Sequence, residues 1–141
     1  MIKKIYIAGP LFNVHEKKYL EEIAEVLEGA DFDCFLPHRD QKGIDPEELK
    51  NNEMSQETKD IIFQTDIEAL KEADLIVALV TGQDIDSGTA SEIGFMYANN
   101  KPVIAITAEE RRYRNLFTAG MFTKTVHNIQ EVLSSVEQFN S

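Results

Sequence analysis

Six consecutive apolar residues, Leu75-Ile76-Val77-Ala78-Leu79-Val80, constrain the architecture of this chain more than any other segment. The run is too short to cross a membrane and reads as a buried strand. Such strands belong to parallel sheets covered by helices on both faces. The next segment, DSGTASEIGFMYA from Asp86 to Ala98, turns through Gly88 into a helical pattern and stops at Asn99-Asn100-Lys101-Pro102. That order puts Asp86 in the loop at the carboxyl end of a strand and Glu92 in the first turn of the following helix. Open α/β sheets bind ligands at that edge. Two carboxylates at a glycine turn there point to chemistry on an electron-poor carbon.

The rest of the chain alternates in the same way. Residues 3–8 read as a first strand closed by Gly9-Pro10, and 13–28 as a helix with Leu20, Ile23, Ala24 and Leu27 on one face. Residues 32–36 form a second strand. Residues 38–55 are polar and irregular, with a turn at Gly43 and a short helix after Pro46. A loop this long is more often functional than idle. A long helix over 56–73, a strand over 74–80, a helix over 89–99 and a strand over 103–106 follow. Residues 113–122 are helical or irregular, 124–126 a short fifth strand, and the chain ends in a helix. These spacings predict an α/β fold of flavodoxin-like type, a doubly wound five-stranded parallel sheet with helices on both faces. One domain is expected over 1–141, with the Gly9 and Gly88 loops as neighbours.

Composition excludes several classes of function. A formal charge of -11 argues against a nucleic-acid partner, and the basic cluster Arg111-Arg112-Arg114 directly follows Glu109-Glu110. No apolar run reaches the length of a membrane span, so no membrane partner is expected. The start, Met1-Ile2-Lys3-Lys4, leads into a strand rather than a signal peptide, and the single Cys34 rules out an internal disulfide. A cytoplasmic location is expected. His15, His38 and His127 show no metal-ligand spacing, so neither a metal nor another cofactor is expected.

Two acidic residues stand out by position. Asp66 falls inside the helical stripe of Ile62, Ala69, Leu70 and Ala73. A carboxylate on a packed face is expensive unless paired. Asp66 is therefore either an edge residue reaching solvent or a partly buried acid of raised pKa, able to protonate a leaving group. Glu92 also has two readings. Thr89-Ala90-Ser91-Glu92 fits a capping box, which needs no catalysis. Alternatively, Glu92 is an anionic nucleophile kept ionised by the start of its helix, the counterpart of a protonated Asp66.

In the order and spacing of several segments, the chain resembles the nucleoside 2-deoxyribosyltransferases. The matching residues are Ile5-Tyr6-Ile7-Ala8-Gly9-Pro10-Leu11-Phe12-Asn13, Asp40-Gln41-Lys42-Gly43, Thr65-Asp66-Ile67-Glu68-Ala69-Leu70, the Asp86 to Gly94 segment and Arg114-Asn115-Leu116. The resemblance implies transfer of 2-deoxyribose between bases through a covalent glutamyl intermediate, with retention of configuration. It makes Glu92 the nucleophile, Tyr6 its companion and Asp66 the residue that assists protonation of the departing base. It places Gly9, Phe12 and Gly88 at the substrate, Gln41 with Asp40 in the loop framing the base, and Asp86 on the sugar's 5'-hydroxyl. Asn115 is implied to complete a neighbouring subunit's site, so a homo-oligomer, a dimer or a trimer of dimers, is expected. Deoxynucleosides and free nucleobases are the implied partners.

Two other functions compete. The related 2'-deoxynucleoside 5'-phosphate N-hydrolases share the glutamate but hold a phosphate, with a serine in place of Asp86. A carboxylate there repels phosphate, whereas Ser87 and the arginines between 111 and 114 favour it. A binding module that senses a nucleoside or nucleotide without turnover is the third possibility. The chain also departs from the transferases: it ends Gln138-Phe139-Asn140-Ser141 without the family's usual tyrosine, and its loop around Gln41 is shorter. Both departures leave base selectivity open and make water a plausible acceptor.

Overall fold

The computed structural model describes residues 1–50, 53–82, 84–108 and 115–141. The elements run β1 (Lys4–Ala8), α1 (Val14–Gly29), β2 (Asp33–Phe35), α2 (Pro46–Lys50), α3 (Gln56–Glu72), β3 (Leu75–Leu79), α4 (Ser87–Ala98), β4 (Val103–Ile106), α5 (Leu116–Ala119), β5 (Lys124–Val126) and α6 (Ile129–Phe139). The five strands are all parallel, in the order β2-β1-β3-β4-β5. This is the flavodoxin-like order predicted from the alternation of patterns.

The pleat sorts the strand residues between two cores. Ile5, Ile7, Val77, Leu79, Ile104 and Ile106 face α1 and α6, where Leu20, Ile23, Leu27, Val132 and Val136 complete one cluster. Each of those fully buried aliphatic side chains contributes about 1.5–3 kcal/mol. Tyr6, Ala8, Ile76, Ala78, Val103 and Ala105 face the other way, toward Leu70 of α3 and Ile93 and Met96 of α4. Ala8, Ala78 and Ala105 stand in register across the three central strands. Small side chains therefore line the carboxyl end of the sheet on the α3/α4 face.

Two predicted boundaries move for local reasons. Helix α4 begins at Ser87 rather than at residue 89, because Asp86 is its cap: Asp86 Oδ2 accepts the Thr89 backbone N–H at 3.1 Å. Gly88 is accordingly a helical residue, and the turn after β3 is made at Gly82, whose φ of 88° suits glycine. Of the predicted 113–122 segment, the four residues of α5 are helical, and residues 113 and 114 lie outside the described residues, as do Arg111 and Arg112. Among the described residues, no helix is long and apolar enough to cross a membrane.

Candidate active site

A cavity of about 490 Å³ opens at the carboxyl end of the sheet, between the loop after β1 and the facing sides of α3 and α4. The β1 loop reaches it because Gly9 lets the chain pass close to α1 and β3. A Cβ at Gly9 would lie 2.8 Å from Leu20 Cδ2 and 3.1 Å from Leu79 Cβ. Beyond it, Asn13 caps α1 through the Glu16 N–H at 2.9 Å, while Glu16 Oε1 accepts the Phe12 N–H at 3.0 Å. This reciprocal pair fixes the backbone that presents Phe12 at the cavity, its ring 79% exposed. Gly88, at the second position of α4, lines the opposite wall.

Three carboxylates line this cavity: Asp66 from α3, Asp86 at the head of α4 and Glu92 on α4. Glu92 does not close a capping box, since Asp86 occupies that role and Glu92 sits at the sixth helical position. Its Oε2 instead accepts a hydrogen bond from the Tyr6 hydroxyl. Tyr6 is wholly buried, and burial together with the adjacent Glu92 and Asp66 charges pushes its pKa far up, so it remains a donor. The expectation that the helix start keeps Glu92 ionised is corrected. Burial dominates and raises the carboxyl to about 7; the Tyr6 hydrogen bond pulls it down, and Asp66 and Asp86 push it up.

Asp66 is half-buried, and burial raises its pKa against the opposing hydrogen bond from Gln41 Nε2 to Oδ1 at 2.8 Å. It thus stands at the cavity side of the packed stripe, in which Leu70 and Ala73 are the buried members. The Gln41 Oε1 atom is buried without a hydrogen-bond partner among the described residues. Its neighbour Asp40 points elsewhere: it is held by Arg39 at 2.8 and 2.9 Å and by the Leu36 N–H at 2.9 Å. Asp86 uses both oxygens on Thr89, the N–H at 3.1 Å and the hydroxyl at 2.6 Å, while lining the cavity. Asn115 is exposed, caps α5 through the Thr118 N–H at 3.1 Å, and does not line the cavity of its own chain.

Two aromatic residues of the cavity were not anticipated. Phe63, 61% exposed, precedes Asp66 by three residues on α3, and Phe95 follows Glu92 by three on α4. Positions three apart share a helix face, so each could have been found by stepping one turn from the acid on its own helix. The resulting surface is apolar with three acidic points, and no lysine or arginine lines it among the described residues.

The family profile described as nucleoside 2-deoxyribosyltransferase matches residues 5–139. Among solved structures, the chain is similar to a conserved protein of Enterococcus faecalis V583, with 28% identity and a TM-score of 0.79 over 98% of this chain and 99% of that one. It is similar also to a 2-deoxyribosyltransferase of Bacillus psychrosaccharolyticus, with 27% identity and a TM-score of 0.77 over 92% and 89%. A CMP N-glycosidase of Clostridium botulinum shares the fold at 22% identity, with a TM-score of 0.62 over 96% and 99%. No curated protein matches the chain at a significant level.

Proposed function

The chain belongs to the nucleoside 2-deoxyribosyltransferase family, and on that footing we propose that it moves 2-deoxyribose between nucleobases through a covalent adduct on Glu92. The observation that carries this reading is the buried Tyr6 hydroxyl donating to a cavity-lining glutamate, with Asp66 on the facing helix. Glu92 attacks the anomeric carbon as a carboxylate, and the electron pair of the N-glycosidic bond leaves with the base. Asp66 supplies the proton that makes the base a better leaving group. The productive form therefore holds the charge on Glu92 and the proton on Asp66, and the Tyr6 O–H favours that form by stabilising the Glu92 anion. A second base then takes the sugar from Glu92, so two displacements retain configuration.

Binding roles follow from the same geometry. Phe12, Phe63 and Phe95 offer apolar ring faces to a base, whereas Gln41 does not line the cavity and bears on the base only through the hydrogen bond it donates to Asp66. Asp86 spends two of its roughly four acceptor sites on Thr89, which leaves room for the sugar's 5'-hydroxyl. The acidic lining favours neutral nucleosides over 5'-phosphates. Asn115, exposed and outside its own chain's cavity, uses its side-chain oxygen to cap α5 and keeps its amide NH2 for a neighbouring copy in a homo-oligomer. The test is chromatography of the protein with deoxyinosine and free adenine, beside a sample holding deoxyguanosine monophosphate. Deoxyadenosine is expected in the first tube. Hypoxanthine without deoxyadenosine indicates hydrolysis instead, and base released only from the monophosphate overturns the reading of Asp86.

A further inference from the structure

Tyr6 has a second neighbour besides Glu92. The ring of Phe35 stacks on it with centroids 5.4 Å apart and 24° between the planes. The pairing follows from register, since Tyr6 on β1 stands opposite Phe35 on β2. Strand β2 is the edge of the sheet, so no further strand covers Phe35. Phe35 lines instead a second cavity of about 590 Å³, between β2 and α3, whose wall carries Arg39, Asp40, Lys42, Glu68 and Glu72. Tyr6 lines neither cavity and is wholly buried. From the second cavity inward, the order of contacts is therefore Phe35, Tyr6, Glu92 and then the substrate cavity.

We propose that Phe35 is a positioning residue for the nucleophile, its ring holding Tyr6 in place and keeping the water of the charged second cavity away from the Tyr6–Glu92 hydrogen bond. The catalytic meaning of this role rests on the reading of Glu92 given above; the physical role does not. Phe35 touches no reacting atom and acts only through Tyr6. The titratable groups that face Glu92 are Tyr6 from β1, Asp66 from α3 and Asp86 at the head of its own helix. None of these side chains is removed by a change at position 35, so the change acts on Glu92 through its hydration and through the hold on Tyr6. Water admitted beside Tyr6 solvates the carboxylate and donates to it, which lowers the carboxyl; a loosened Tyr6 hydrogen bond alone would raise it, but burial is the larger cause and its relief outweighs that loss.

The test follows the glutamate carboxyl carbons by NMR during a pH titration, with Glu92 identified by the signal lost in Glu92→Gln. In Phe35→Ala the Glu92 midpoint is expected to fall by roughly one pH unit toward the ordinary carboxylate range. A smaller fall is expected in Phe35→Leu, which fills space without a ring, and the wild-type midpoint returns in Phe35→Tyr. The alkaline limb of kcat/KM should move in the same direction, with kcat lowered roughly tenfold by the looser placement of the nucleophile. If Phe35→Ala does not fold, Phe35→Leu decides. An unmoved midpoint in folded Ala or Leu variants overturns the proposal and leaves Phe35 a core residue. Because the titration needs no turnover, it stands apart from the functional reading, which falls instead if Glu92→Gln keeps wild-type turnover.

Discussion

Replacing Glu92 by Gln removes a charge while keeping the side chain's size and an acceptor for the Tyr6 hydroxyl. In the folded chain this carboxyl is held at about 7 against an ordinary 4.5, with burial as the main cause. The folded state thus binds the proton more tightly than the unfolded state does. The stability contributed by the neutral carboxyl is fully present below about 4.5 and is lost as pH rises through about 7. Relative to Glu92→Gln, whose side chain carries no charge at any pH, the wild type should lose almost nothing at pH 4, about 2 kcal/mol at pH 6 and about 3 kcal/mol at pH 8. For 141 residues, the pH 8 gap corresponds to roughly 10 °C in Tm. Parallel urea titrations of the two proteins across this range measure it. Any cost of burying the substituted amide does not depend on pH, so the slope of the difference carries the test. A gap that stays constant from pH 4 to pH 8, or one that narrows as pH rises, would refute the reasoning.

On the proposed mechanism the kcat/KM of the wild type should be bell-shaped, because the productive form keeps one proton on the pair, on Asp66 with Glu92 ionised. The alkaline limb should lie near 7, where the last proton leaves, and a profile still rising above pH 7 would contradict the raised pKa of Glu92. Asp66→Asn should lower turnover of deoxyinosine by about 10²–10⁴-fold. It should spare 7-methyldeoxyguanosine, whose base is already cationic and leaves without a proton, and equal losses on both substrates would show that Asp66 does not act as the acid. Asp86→Ala should destabilise the fold by about 1 kcal/mol through loss of the α4 cap. Asp86→Asn should keep the cap, and by removing one of the charges that push Glu92 up it should lower the alkaline midpoint of the rate profile; thermal melts and pH profiles of the two variants separate these effects.

The architecture was legible because it follows from hydrophobic patterning. Continuous apolar runs such as Leu75 to Leu79 become strands with both faces covered, and the stripe of Leu20, Ile23, Ala24 and Leu27 seats α1 on the sheet. The start of α4 was misplaced because the segment offers two capping residues three apart, Asp86 and Thr89. Only the three-dimensional path of the chain decides that Asp86 accepts the N–H of Thr89. The protonation of Glu92 was misjudged for a related reason: a helix start favours an anion, but desolvation at the sixth position outweighs it. Depth of burial is a property of packing between distant segments, and here the packing brings residue 6 against residue 92. The Phe35–Tyr6 stack was equally hidden, since it depends on the register between β1 and β2.

The cap of α4 has a consequence for how such a protein can change. Helix caps are best filled by Asn, Asp, Ser or Thr, and of these only Asp carries a charge. A cap that also lines the cavity is therefore, on the proposed function, a position where ligand charge preference can be rewritten without disturbing the scaffold. Asp86→Ser would keep an oxygen for the Thr89 N–H and withdraw an anion from the cavity wall. The genetic code allows that change to pass through Asn, so the helix keeps a good cap at every step. Lineages that take neutral nucleosides and lineages that tolerate an anionic group could thus diverge at this one position, with the same helix standing in both.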